Sequence, residues 1–212
     1  MKKREQAKKI VGMLKRAYPN APLTNLIFSN PFELLIATIL SAHTTDISVN
    51  KSTPALFAKY PTPEKMAKAK IEEITELVRM TGAYNRKAAY ITETAKLIVE
   101  NFGGEVPRTL DELITLKGVS RKTANVVLSV AFNLSEGVVV DTHVGRVSVR
   151  LGFSEHEKKP EKIERDLMEL FPKSMWNDYA RIMGEHGRST CKAIRPKCQE
   201  CYVNALCPSV EL

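Results

Sequence analysis

From Arg86 to Phe102 the apolar residues Ala88, Ile91, Ala95, Ile98 and Phe102 return at alternating steps of three and four. That spacing follows the turn of an α-helix and lines up one face for burial. Nearly every other segment carries the same period, so the chain is constrained to pack helices on helices. Gly103-Gly104 ends this helix. Asn30-Pro31-Phe32-Glu33 supplies an N-cap, a first-turn proline and a capping acid ahead of Leu34 to Leu40, which is apolar nearly all round and is expected to be central. Thr62-Pro63-Glu64 opens another helix, and Thr109-Leu110-Asp111-Glu112 reads as a capping box. Pro54 is expected to kink or interrupt a helix over 49–60. The β-branched run Val138-Val139-Val140 breaks the pattern, helical spacing resumes through Val144, Val147 and Leu151, and two more helices are expected over 160–171 and 173–186. The expectation is an all-α protein of about ten helices in two lobes with short connections, a single irregular bundle being the alternative.

Among 212 residues, 43% are hydrophobic and 26% charged, which excludes a disordered chain. The 32 basic residues exceed the 24 acidic ones, a net charge of +8. That excess favours a polyanionic partner such as nucleic acid, and a plain surplus of surface lysine is the competing reading. The N-terminal run Met1-Lys2-Lys3-Arg4-Glu5-Gln6 has no apolar stretch behind it, unlike a secretory signal. The longest apolar run, Leu34 to Leu40, is broken by Thr38 and falls far short of the roughly 20 residues that span a bilayer. A soluble, intracellular protein with no membrane partner is expected.

All four cysteines, Cys191, Cys198, Cys201 and Cys207, lie in the last 22 residues. A disulfide framework spreads its cysteines along the chain, so this C-x6-C-x2-C-x5-C cluster reads as a metal site. Structural zinc and an iron–sulfur cluster both suit four thiolates, and the spacing leaves them even. Lys192, Arg195 and Lys197 fall in the loop between the first two cysteines. Three cations on a braced loop suit contact with phosphate, although a merely solvated loop has the same composition.

The stretch Leu113 to Leu128 reads as a short helix, a tight turn at Gly118 and a second helix opening near Ser120. Such a hairpin leaves backbone N–H groups facing outward at Gly118, Val119 and Ser120, where they can hold a phosphate without reading a base. Without a ligand the same turn is simply a connector. Lys122 follows in the first turn of that helix, and Asp141 is placed to cap the next. Both then sit at the positive end of a helix dipole, a field that suits an amine nucleophile partnered by a carboxylate. Taken singly, a surface lysine and a plain N-cap are the simpler readings.

Three blocks carry a resemblance: Leu116 to Val127, then Val140-Asp141-Thr142-His143-Val144, then the terminal cysteines. Together with Pro31 to Asp46 they make the chain similar, over nearly its whole length, to the endonuclease III family of helix-hairpin-helix DNA glycosylases. The resemblance implies a six-helix barrel lobe at 23–135 and a second lobe of 1–22 with 136–212, DNA lying in the cleft between them. It implies a 4Fe-4S cluster on Cys191, Cys198, Cys201 and Cys207. It implies a base-excision-repair glycosylase and AP lyase, a monomer in the cytoplasm at the nucleoid, removing oxidised pyrimidines such as thymine glycol from duplex DNA. By analogy Lys122 attacks the sugar and Asp141 is the essential carboxylate, with Ser41 and His43 among the DNA contacts. His43 stands where the family usually has glutamine, Ala83 near a position usually bulky, Lys117 where proline is common and Ser120 where a second glycine is usual. A mismatch-specific thymine or uracil glycosylase of the same superfamily and a non-enzymatic iron–sulfur DNA-binding module are the alternatives.

Overall fold

The computed structural model describes residues 3–210; Met1 and Lys2, which begin the basic N-terminal run, lie outside the described residues, as do the last two. Eleven α-helices are present among the described residues, with no strand: α1 Lys3–Ala17, α2 Pro31–Leu40, α3 Asp46–Lys59, α4 Pro63–Ala67, α5 Ile71–Leu77, α6 Tyr84–Phe102, α7 Leu110–Leu113, α8 Arg121–Phe132, α9 Thr142–Arg150, α10 Pro160–Leu170 and α11 Trp176–Ser189. The expectation of an all-α protein holds. Two compact units result among the described residues, one formed by Asn25–Leu134 and the other by 3–24 with 135–210.

The unit Asn25–Leu134 is organised on α2. Asn30 accepts from the Glu33 N–H at 2.9 Å while Glu33 Oε2 accepts from the Ser29 N–H at 2.7 Å, so the start of the helix is satisfied from both sides. Leu34, Leu35, Ile36, Ala37, Ile39 and Leu40 are all buried, making α2 the central helix against which α6 and α8 pack. Each large apolar side chain hidden there contributes roughly 1.5–3 kcal/mol. The periodic face of α6 supplies Ala88, Ile91, Ala95 and Ile98 to the same core, and α8 supplies Ala124, Val127 and Leu128. Pro54 does not interrupt its helix: α3 begins at Asp46, capped by Thr45, and runs unbroken to Lys59. A proline inside a helix costs about 3 kcal/mol. Burial of Val49, Leu56 and Phe57 on the same helix offsets that cost.

In the other unit α1 buries Ala7, Ile10, Val11 and Leu14 and packs on α11. Lys15 pairs with Asp178 across this contact, and Arg181 Nε reaches the same carboxylate at 2.8 Å. The run Val138 to Val140 forms no strand because no edge lies beside it among the described residues; Val138 and Val140 are buried in an irregular connection that delivers Asp141 to α9. The helix expected over 173–186 starts with a 3-10 turn, Lys173–Met175, before α11 takes over and continues to Ser189. Trp176 sets that start, its Nε1–H donating to the Phe171 carbonyl at 3.0 Å.

Candidate active site

The hairpin between α7 and α8 is shaped by one residue and held by another element. Gly118 has φ +73°, and a Cβ there would lie 2.7 Å from Cδ2 of Tyr90 on α6, so both backbone conformation and space call for glycine. The Lys117 carbonyl accepts from Thr94 Oγ1 at 2.8 Å, tying the turn to α6. Ser120 caps α8, its Oγ accepting from the Thr123 N–H at 3.2 Å. Among the described residues the backbone N–H groups of Gly118, Ser120 and Lys122 have no acceptor. Val119 differs from the expectation: its N–H is spent on the Leu116 carbonyl at 3.3 Å and its side chain is buried. Donors free at a helix N-terminus make a ready anion site.

Lys122 is exposed in the first turn of α8, and its ammonium has no hydrogen-bond or ion-pair partner among the described residues. Asn125, one turn further on, is buried on the same helix. Lys122 belongs to the unit Asn25–Leu134 and Asp141 to the other. Asp141 caps α9 through a single oxygen: Oδ1 accepts from the N–H groups of His143 at 2.9 Å and Val144 at 2.7 Å. Its Oδ2 has no partner among the described residues. A carboxylate held by one oxygen leaves the other presented in a fixed direction. Ser41 closes α2 and spends its hydroxyl on the Thr38 carbonyl at 2.8 Å, while His43 is exposed with φ +53°.

The four cysteines leave α11 and wind through two 3-10 turns, Cys198–Glu200 and Asn204–Leu206. All four are half-buried free thiols lining one pocket with Arg150, His186 and Thr190. Among the described residues no three His, Cys, Asp or Glu side chains form a group able to hold a single metal ion. The thiols are nonetheless close enough to act on one another: burial pushes Cys201 and Cys207 above the ordinary thiol range, and the neighbouring cysteines push them further. Lys192 and Arg195 are exposed without an ion pair among the described residues, whereas Lys197 is engaged by Glu200 at 3.2 Å.

Residues that spacing did not single out surround this loop. Arg150 Nη1 donates to Cys191 Sγ at 3.4 Å and to the Lys192 carbonyl at 2.7 Å. Arg146 Nε donates to the Cys191 carbonyl at 3.1 Å. His186 is 2% exposed, lies 3.7 Å from Cys201 Sγ through Nε2 and 3.1 Å from the Tyr18 hydroxyl through Nδ1; burial pushes its pKa down to about 4. The only sequence signal for His186 was its place five residues before Cys191.

Residues 36–173 match the HhH-GPD superfamily of base excision DNA repair proteins, a span that runs from α2 through the hairpin and Asp141 into the 3-10 turn before α11. The chain is 47% identical over 209 residues to endonuclease III of Synechocystis sp., covering 99% of this chain and 94% of that protein. Against endonuclease III of Escherichia coli K12 the identity is 42% over 186 residues, covering 88% and 87%. This chain belongs to the endonuclease III family. Among solved structures, an endonuclease III trapped as a covalent intermediate with DNA superposes with a TM-score of 0.91 at 41% identity, over 99% of this chain and 98% of that one. A thermostable thymine-DNA glycosylase shares the fold, with a TM-score of 0.85 at 24% identity. As a member of the endonuclease III family the chain is a base-excision DNA glycosylase.

Proposed function

We propose that this glycosylase removes oxidised pyrimidines, thymine glycol among them, from duplex DNA and then nicks the strand at the abasic site as a lyase. The observation that carries the reading is Lys122: an amine without a partner among the described residues, in the first turn of a helix whose preceding hairpin offers unused N–H groups. Phosphate held on Gly118 and Ser120 would bring the sugar of an extruded nucleotide to Lys122 Nζ. The amine nitrogen bonds to C1′ as the bond from C1′ to the damaged base breaks, and the base leaves with its electron pair and a proton. Opening of the sugar ring yields a Schiff base; loss of a proton from C2′ then expels the 3′ phosphate by β-elimination, and hydrolysis returns Lys122. Asp141, presenting Oδ2, takes the proton from the attacking amine and stabilises positive charge on the sugar. Lys192 and Arg195 add phosphate contacts from the cysteine loop, with His43 and Ser41 on the lesion side.

The cysteine loop fits a 4Fe-4S cluster on Cys191, Cys198, Cys201 and Cys207, since the donor set is all thiol and the four share one pocket. Bound there, the cluster would cross-link the loop that carries Lys192 and Arg195. We place the protein at the nucleoid in the cytoplasm, acting as a monomer; among the described residues no helix is long and apolar enough to cross a membrane.

Borohydride trapping tests the reading directly. Incubated with a thymine-glycol or abasic duplex and borohydride, the protein should form a covalent adduct with DNA. Lys122→Gln should bind the duplex and form none. An adduct at wild-type yield in that variant would reject Lys122 as the nucleophile.

A further inference from the structure

Lys87, on α6, is 4% exposed, and among the described residues it meets no carboxylate. Its ammonium donates instead to the Leu40 carbonyl at 2.8 Å and to Thr44 Oγ1 at 2.6 Å. Leu40 ends α2, so the negative end of that helix offsets part of the charge. Burial still holds this lysine below the ordinary amine range, with Arg86 adding to the effect. A buried cation resting on neutral acceptors is costly to keep, which points to a job in geometry.

The partner of Lys87 shows what the job is. Thr44 Oγ1 also accepts from the Gly82 N–H at 3.1 Å, and its own proton is directed to the Ala42 carbonyl at 3.4 Å. One hydroxyl therefore joins the loop between α2 and α3 to the loop between α5 and α6. A Cβ on Gly82 would stand 3.6 Å from the His43 carbonyl, so the loops touch. Beside the joint stand His43 and Ala83, both exposed and both left-handed at φ +53° and +55°. That conformation strains any residue other than glycine. It persists only where surrounding contacts over-determine it, and strain of this kind gathers at working sites.

We infer that Lys87 and Thr44 are positioning residues that clamp the His43 and Ala83 loops into one preset element, which fills the stack vacated by an extruded nucleotide. The inference rests on the glycosylase reading above. Extrusion costs the stacking and pairing energy of the base. Ordering two mobile loops at the same moment would add the entropy of fixing every residue in them. A loop pair locked beforehand avoids the second cost, and the small Ala83 side chain makes the locking matter more, because a methyl group cannot wedge a duplex by itself.

The consequence separates two substrates. A damaged base has to be driven out of the stack, whereas an abasic site has no base to extrude. Single-turnover excision from a thymine-glycol duplex, nicking of an abasic duplex, and the fluorescence of 2-aminopurine beside the lesion are measured for the wild type, Lys87→Met, Thr44→Val and Thr44→Ser. Lys87→Met and Thr44→Val are expected to slow excision by about tenfold or more. They should slow nicking by a clearly smaller factor and lose most of the fluorescence rise, and Thr44→Ser should recover both. Excision at the wild-type rate in Thr44→Val, or equal losses on both substrates, overturns the clamp. Thr44 lies in a surface loop, so the threonine pair decides the matter even if Lys87→Met does not fold. A wild type that neither excises nor nicks would reject the glycosylase reading, and the fluorescence difference between Thr44→Val and Thr44→Ser would still report on the clamp.

Discussion

Asp141 does two things that an alanine substitution would confound: it caps α9 through Oδ1 and it presents a carboxylate through Oδ2. Asparagine caps as well as aspartate does. Asp141→Asn is therefore expected to change the unfolding free energy by less than about 1 kcal/mol in urea titration while lowering single-turnover excision by roughly 10²-fold or more. Retained activity would reduce Asp141 to a cap. Gly118→Ala tests the hairpin: the left-handed backbone costs roughly 1–2 kcal/mol, and its Cβ meets Tyr90. Weaker binding to undamaged and damaged duplex alike is expected, since phosphate anchoring is blind to the base. A variant that loses affinity only for the lesion would contradict that assignment. These positions were legible in the sequence because capping and positive φ are local chemistry. Lys87 and His186 were not, because which long polar side chain becomes buried depends on what packs over it from elsewhere in the chain.

Among the helices, the pairing of α1 with α11 carries a testable charge. Burial pulls the Asp178 carboxyl upward, but hydrogen bonds from Lys15 and Arg181 outweigh that and hold it below its ordinary value of 3.8. The pairing thus stabilises the fold above that pH, where the unfolded chain is also ionised, and the contribution is lost as the pH falls through the lower, folded-state value. Denaturant unfolding followed from pH 6 to pH 2 should show an acid-side loss of stability that is shallower in Asp178→Asn. An identical acid limb in the two proteins would mean the pair is idle. Helix existence was legible from period and caps; α2, α6 and α8 stand where apolar spacing and Asn30 or Ser120 put them. What escaped was continuity. Whether Pro54 interrupts α3 depends on how much neighbouring side chain is buried, and whether Val138 to Val140 pairs as a strand depends on an edge being present.

Across the whole molecule the charge of +8 and the cysteine loop make the remaining predictions. Binding to duplex DNA should weaken steeply with salt, and removing Lys192 and Arg195 together should reduce the log–log slope by roughly two. An unchanged slope would mean the loop does not reach phosphate. Protein purified without oxygen should be brown, with iron and sulfide in equal amounts; a colourless, zinc-containing preparation would overturn the cluster. Oxidative removal of the iron should expose the chain between Cys191 and Cys207 to protease. The sequence by itself determined the secondary structure class, the caps that orient Lys122 and Asp141, and the set of four thiols, because each depends on residues within a few positions of one another. Only the tertiary structure decided that Asp141 keeps one oxygen without a partner among the described residues, that His186 stands beside Cys201, and that a buried lysine bonds to the hydroxyl that joins two surface loops. Those depend on distant segments sharing one small volume, where burial alters what a polar group costs and which partner it must find.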